Sequence, residues 1–361
     1  MSNFRNIPLP PRLIFGRGAL QQLDEVLNPQ RKNTDSPFVF IVDHCFKNNK
    51  DLTNSLPLSK NDLILFADTT HEPKTKQVDS IRDRLKSAFG DNISGVIGVG
   101  GGSVMDIAKA VALMLTNKGS STNYQGWDLI QNPALYKVGI PTLAGTGAEV
   151  SQTCVLMGSK RKLGIYSDYT PFDQIILDPD LMNSVTQEQR FYSGMDCYIH
   201  CIESLEGSYI NAFSKSHGEK ALTLCRDVFL ECNEWQPECD EKIMMASYLG
   251  GISIATSQVG MVHALSYGLS YLLGIKHGEG NCLVLNQIEQ YYPEGYAEFQ
   301  QMLEKNNIVL RKNICKDLRN KDFEMMSKVA LGLEPLWENT FGKDWREAIN
   351  AEKINEIYQQ I

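Results

Sequence analysis

Features common in other protein classes are missing from this 361-residue chain, and each absence closes off a function. No run of Lys or Arg concentrates positive charge, and the net charge is −8 with a pI of about 5.4. Nucleic acid and anionic membrane surfaces are therefore disfavoured as main partners. No apolar stretch approaches the ~20 residues a membrane span needs. The opening MSNFRNIPLPPRLIF lacks the basic-then-apolar order of a signal peptide, so a soluble cytoplasmic protein is expected. None of the nine cysteines is spaced Cys-x-x-Cys, which argues against a thiolate zinc site or a redox pair. Cys197 and Cys201, four apart, read as small buried side chains. Internal repeats and low-complexity segments are absent as well. What is present is a 42% apolar chain long enough for two domains or one large one.

The first half alternates short apolar runs with amphipathic stretches. FVFIVD (38–43), LILFAD (63–68), SGVIGVG (94–100), KVGIPT (137–142) and QIILD (174–178) read as buried strands bounded by turn residues. TKQVDSIRDRLKSAF (75–89) and SVMDIAKAVALMLT (103–116) carry helical periodicity. Such alternation predicts a mostly parallel sheet covered on both faces. RLIFG (12–16) and KLGIYS (162–167) are expected to add antiparallel edge strands. Near residue 183 the character changes: Thr186 and Gln189 form a capping-box pattern before a helix that ends at Gly207, and helical periodicity continues to Ile361. The prediction is an α/β dinucleotide-binding domain over 1–183 and an all-α domain over 184–361.

GVIGVGGGSVMDIAKA (95–110) runs from strand through glycines into a helix. Without β-carbons at Gly100, Gly101 and Gly102, main chain can approach a phosphate, which a helix N-terminus favours. Ser103 could cap that helix or donate to the same phosphate. The spacing is not G-x-G-x-x-G, so a turn needed only for tight strand–helix packing stays open. Asp43 ends an early strand, where a carboxylate can accept from ribose hydroxyls and repel a 2′-phosphate, favouring NAD over NADP. GIPTLAGTGAEVS (139–151) delivers Thr142 and Thr146 at the carboxyl end of another strand.

In the second half, Asp196 and His200 are four apart and share a helix face. His263 lies in a later helical stretch, and His277 follows a break at Gly274. Three imidazoles and a carboxylate suit Fe2+ or Zn2+ better than Mg2+ or Ca2+. On spacing alone, satisfied core histidines are the alternative.

The motifs FGRGAL, GVGGGSVMDIAKA, IPTLAGTGAEVS, DPDL, MDCYIHCIES, MVHALSYGLS and KHGEGN occur in one order along the chain. In them the sequence resembles the iron-containing (group III) alcohol dehydrogenases over nearly its whole length. The resemblance implies a dinucleotide-binding α/β domain, a helical domain and an active site in the cleft between them. It implies that Asp196, His200, His263 and His277 ligate the metal. It further implies that NAD contacts Asp43, Gly101, Gly102, Ser103, Thr142, Thr146 and Lys162, and that the protein is a homodimer. Three departures bear on the substrate. Tyr267 stands where the family commonly has a histidine assigned to proton relay or substrate contact. Leu143 replaces a hydroxyl residue, and HEPKT (71–75) stands where Glu-Pro-Asn-Pro-Thr is usual.

A phenol of unperturbed pKa ~10 is a poor proton acceptor at neutral pH but can donate to a substrate oxygen, so Tyr267 is the catalytic candidate. A polyol or sugar acid suits such a site better than ethanol. The chain also looks similar to the branch that oxidises the C8 hydroxyl of 3-deoxy-manno-octulosonate in lipopolysaccharide sugar biosynthesis. The alternatives are a dehydroquinate-synthase-like lyase that reduces and reoxidises its NAD within one cycle, a glycerol-phosphate-type dehydrogenase, and a non-catalytic metal- or nucleotide-binding protein.

Overall fold

The computed structural model describes residues 6–159 and 162–361. They form two compact units. One holds residues up to Leu143 together with Ala148–Ser184; the other holds Ala144–Gly147 and Val185–Ile361. The short excursion 144–147 is thus part of the helical unit, which a single cut near residue 183 does not capture. The reason is steric. A Cβ on Gly145, at φ +146°, would stand 1.7 Å from the Ser193 carbonyl oxygen, and one on Gly147 would stand 2.5 Å from the Gly251 Cα. Both turns therefore lie directly on helices of the second unit.

Among the described residues the first unit has nine strands: β1 (Leu13–Phe15), β2 (Phe38–Asp43), β3 (Leu63–Ala67), β4 (Gly95–Gly100), β5 (Gly126–Trp127), β6 (Lys137–Pro141), β7 (Thr153–Met157), β8 (Lys162–Tyr166) and β9 (Gln174–Leu177). Six make a parallel sheet in the order β1-β9-β6-β4-β2-β3. Phe38, Val39, Phe40, Ile41 and Val42 are all fully buried, as expected of a strand covered on both faces. Helices α1 (Thr75–Phe89) and α2 (Gly102–Met114) follow β3 and β4 as the periodicity predicts.

β1 departs from expectation: it pairs with β9 in parallel, Leu13 opposite Ile175. No tight turn joins these strands, so nothing local dictates an antiparallel pairing. Instead the Asp178 carboxylate, just past β9, accepts the N–H groups of Gly18 and Leu20 and holds the segment after β1 at the same sheet edge. The FGRGAL and DPDL motifs meet there. β8 lies in a separate sheet, β5-β8-β7, antiparallel to β7, a strand the sequence pattern did not reveal.

In the second unit, α3 (Gln187–Glu206) starts at Thr186, whose side chain accepts from the Gln189 N–H, and ends at Gly207. Only half of the expected capping box forms, since the Gln189 amide turns to Ser193 Oγ. Helices α4 (Ala212–Arg226) and α5 (Pro237–Thr256) pack on α3. They are followed by α6 (Met261–Leu273) and α7 (His277–Leu285). Cys197 and Cys201 are buried and free. Cys232 and Cys239, by contrast, form a disulfide between the turn before α5 and its first turn, a pairing that a search for Cys-x-x-Cys cannot see because they are seven residues apart. Among the described residues no helix is long and apolar enough to cross a membrane.

Candidate active site

Strand order locates a first candidate site, within the first unit. The chain leaves β2 for β3 on one side, whereas β4 is followed by β6 on the other. The carboxyl ends of β2 and β4 therefore flank a point where the winding reverses, the crevice in which open α/β sheets collect ligands. Asp43 ends β2 and Gly100 ends β4. They are close, since a Cβ on Gly100 would stand 3.1 Å from that of Asp43. The Thr142 N–H donates to the Gly100 carbonyl, which brings the end of β6 to the same turn.

The glycines there have separable roles. A Cβ on Gly98 would meet that of Ala108 at 2.8 Å, and one on Gly100 would meet Val104 Cγ2 at 2.6 Å. Tight packing of β4 on α2 accounts for both. At Gly101 the nearest atom would be Leu143 Cδ2 at 3.5 Å, an ordinary contact, so packing does not demand glycine. Gly101 is the extended N-cap of α2, with Gly102 and Ser103 in its first turn. The first N–H groups of a helix have no intrahelical partner, which makes this turn suited to a phosphate. No side chain caps α2, so the capping role expected of Ser103 is not taken up.

The remaining residues expected at the cofactor are already engaged. The Asp43 carboxylate accepts from the Cys45 N–H and from Thr69 Oγ1. Lys162 is buried at the start of β8 with its ammonium 3.0 Å from Glu72 Oε2, the acid of HEPKT. Thr146 belongs to the second unit, where the N–H of its neighbour Gly147 donates to Ser247 Oγ.

A second candidate site lies wholly in the helical unit. Asp196 and His200 stand one turn apart on α3; His263 is in the first turn of α6; His277 opens α7. Gly274, in the left-handed conformation at φ +67°, ends α6 and lets the chain turn back so that His277 faces His263. One ligand atom from each of the four residues lies within 4.8 Å of all the others. Asp196 Oδ1 is 3.6, 3.3 and 3.4 Å from Nε2 of His200, His263 and His277. A tetrahedral ion with ligands at about 2.0–2.2 Å has ligand–ligand edges of about 3.3–3.6 Å, which the three spacings from Asp196 Oδ1 match. Asp196 Oδ2 is buried with no hydrogen-bond partner among the described residues, a cost that an ion beside the carboxylate offsets.

The electrostatics are those of a compact donor set. Burial pushes the Asp196 carboxyl up, but the imidazoles of His277, His200 and His263 outweigh it and hold it well below the ordinary carboxylate range. Burial, with the neighbouring imidazoles, pulls His200 down to about 3 against the attraction of Asp196. Burial also lowers His263, yet Glu203 and Asp196 prevail and push it up to about 9. Tyr267, one turn beyond His263, meets the His277 ring edge-on at 6.0 Å.

Two residues at this centre were not singled out in the sequence. Glu203 Oε2 lies 2.5 Å from His263 Nδ1. The Asn281 amide donates to Asp196 Oδ1 at 2.6 Å and lies 3.2 and 3.4 Å from Nε2 of His263 and His277. The signal was periodicity: Glu203 is seven residues past Asp196 and Asn281 four past His277, each on the ligand's own helix face.

Known proteins resemble this chain in sequence and fold. Residues 10–179 match the family described as iron-containing alcohol dehydrogenase, and residues 190–339 match the C-terminal domain of the Fe-containing alcohol dehydrogenase family. Sulfoacetaldehyde reductase of Bilophila wadsworthia is 28% identical over 274 residues, covering 74% of this chain and 69% of that one. NAD-dependent methanol dehydrogenase of Bacillus methanolicus is 26% identical over 316 residues, covering 83% and 80%. The crystal structure of sulfoacetaldehyde reductase from Bifidobacterium kashiwanohense in complex with NAD+ superposes with a TM-score of 0.79. It covers 99% of this chain and 98% of its own at 21% identity, a likeness that speaks for the fold. The NAD in that complex and the iron in the family's description agree with the cofactor pair expected from the sequence. With family matches spanning most of both halves, the chain belongs to the iron-containing alcohol dehydrogenases.

Proposed function

We propose that this protein interconverts an alcohol and its carbonyl compound, using NAD and a divalent ion held by Asp196, His200, His263 and His277. The observation that carries the reading is the set of ligand-atom spacings around Asp196 Oδ1, which match three edges of a tetrahedral site. When bound, the ion supplies positive charge that lowers the pKa of a substrate hydroxyl, and NAD supplies the acceptor for the hydride on the carbinol carbon. The chain's residues do the rest. Gly101, Gly102 and Ser103 receive the pyrophosphate at the start of α2, and Asp43 takes the ribose hydroxyls by exchanging its bond to Thr69. Thr142, Thr146 and Lys162 complete the cofactor site. Fe2+ and Zn2+ both suit the donor set.

Tyr267 is the residue that tunes substrate choice in this proposal. Its ring lies beside that of His277, and a phenol can donate a hydrogen bond to a substrate oxygen. That favours a substrate with additional oxygens, a polyol or sugar acid. The C8 hydroxyl of 3-deoxy-manno-octulosonate is the specific candidate, supported by the sequence resemblance alone. A cytoplasmic homodimer completes the proposal.

The test is a substrate panel with NAD, following nicotinamide absorbance before and after chelation. The panel sets the sugar acid against short diols, butanol and sulfoacetaldehyde. The proposal expects net NADH formation with an alcohol, or NADH consumption with an aldehyde, and loss of either on metal removal. Full activity in metal-free protein would sink it. Turnover without net change in NADH would point instead to the dehydroquinate-synthase type of cycle.

A further inference from the structure

We infer that Glu203 is a positioning residue of the metal centre, fixing the orientation of His263 so that Nε2 faces the ion. The inference rests on reading Asp196, His200, His263 and His277 as ligands.

Asp196, His200 and Glu203 occupy positions i, i+4 and i+7 of α3, so the carboxylate sits on the ligands' face, one turn further along. It is 1% exposed, and both of its oxygens are used. Oε1 accepts the Val262 N–H at 2.6 Å, and Oε2 lies 2.5 Å from His263 Nδ1. An ionised carboxylate only accepts, so Nδ1 must be the donor in that bond. Nε2, on the opposite edge of the ring, is then left to face Asp196 Oδ1 at 3.3 Å. The other tautomer would set a lone pair against the carboxylate and aim an N–H at the ion. A metal-ligating histidine whose second nitrogen donates to a carboxylate is held in register and made more basic toward the metal.

The same carboxylate serves α6. The N-cap of that helix is Gly260, which offers no side chain. There is no room for one: a Cβ there would come 3.0 Å from Glu203 Oε1 and 2.7 Å from Thr340 Oγ1. Glu203 supplies the missing cap from another helix, where the helix N-terminus favours negative charge. One group thus fixes both the start of α6 and the ring that projects from its first turn. His200 has no such partner, because its Nδ1 is buried without a hydrogen bond among the described residues.

The test uses Zn2+ alone as the probe. Glu203→Gln keeps the shape, and its amide oxygen can still accept from Val262, but its NH2 then faces Nδ1 and selects the opposite tautomer. The expected result is a folded protein whose Zn2+ affinity falls by ~10–100-fold. Glu203→Asp, which retains the charge, should recover part of it. In Zn2+-loaded wild-type protein labelled with 15N-histidine, His263 should carry its proton on Nδ1 and coordinate through Nε2. Unchanged Zn2+ affinity in Glu203→Gln would overturn the inference. So would a His263 coordinated through Nδ1 in the wild type, even if the glutamine variant failed to fold. Wild-type protein that takes up no Zn2+ would overturn the ligand reading on which the inference depends.

Discussion

The two units offer a ligand opposite kinds of group. In the first, the offered groups are main-chain N–H at the start of α2, where no side chain caps the helix and packing does not demand the glycine at Gly101. In the second, the offered groups are side chains: a carboxylate and three imidazoles drawn from α3, α6 and α7, hydrogen-bonded to Glu203 and Asn281. A main-chain site is local, because strand, turn and helix follow one another within a few residues. A side-chain site is distributed, and its parts are brought together only by helix packing. The first should therefore fail through local crowding, and the second through loss of any one member.

The largest expected effect comes from breaking the distributed site. His263→Ala or His277→Ala should abolish bound metal and turnover together, beyond the ~10–100-fold typical of losing an outer partner. Elemental analysis of the purified variants checks it, and either variant retaining a full equivalent of metal would count against the ligand assignment.

The glycine turn gives the next largest effect, and there the two neighbours should part company. Gly100→Ala forces a Cβ against Val104 and Asp43, so it should destabilise the fold by ~1–3 kcal/mol. Gly101→Ala meets only an ordinary contact, so stability should shift by no more than ~0.5 kcal/mol while NAD affinity falls. Urea unfolding alongside NAD titration separates these outcomes. Unimpaired NAD binding in Gly101→Ala would mean the turn serves packing alone.

Asp62 supplies a third test, confined to the first unit. Its fully buried carboxylate pairs with Arg31 and accepts from the N–H groups of Phe38 and Ser59. Burial raises this carboxyl, but those hydrogen bonds outweigh it and hold it below its ordinary value. A carboxyl depressed in the folded state contributes stability that is present above its unfolded pKa of ~3.9 and is lost as pH falls through the folded value. Asp62→Asn should then cost ~1–3 kcal/mol at pH 7, and the gap to wild type should narrow below about pH 4. Zn2+ affinity should not change, and a change would show the two units to be coupled.

The smallest effect is expected at Tyr267. Removing a single neutral hydrogen-bond donor with Tyr267→Phe should lower kcat/KM by ~3–10-fold on a polyol or sugar acid and leave a simple alcohol unaffected. Equal losses on both substrates would remove Tyr267 from substrate selection.

The same contrast explains what the sequence disclosed. The parallel strands and α1 were legible because burial on both faces leaves continuous apolar runs, and amphipathic helices keep their period. The glycine turn was legible as a motif, though only coordinates separate Gly98 and Gly100, required by packing, from Gly101, which is not. The pairing of β1 with β9 was not legible, because it depends on Asp178 reaching back to Gly18 and Leu20. Nor was the assignment of residues 144–147 to the helical unit, which rests on backbone contacts at Ser193 and Gly251. For the metal centre, Asp196 and His200 carried a weak local signal, but His263 and His277 could be joined to them only through family resemblance. Glu203 and Asn281 lay in quoted motifs at helical spacing and needed the packed structure to show their partners.

X-ray absorption at the metal edge of the iron- or zinc-loaded protein tests the central claim most directly. The account predicts one carboxylate oxygen and three imidazole nitrogens at about 2.0–2.2 Å around a single ion. A shell containing sulfur at about 2.3 Å, or one made only of water oxygens, would contradict it.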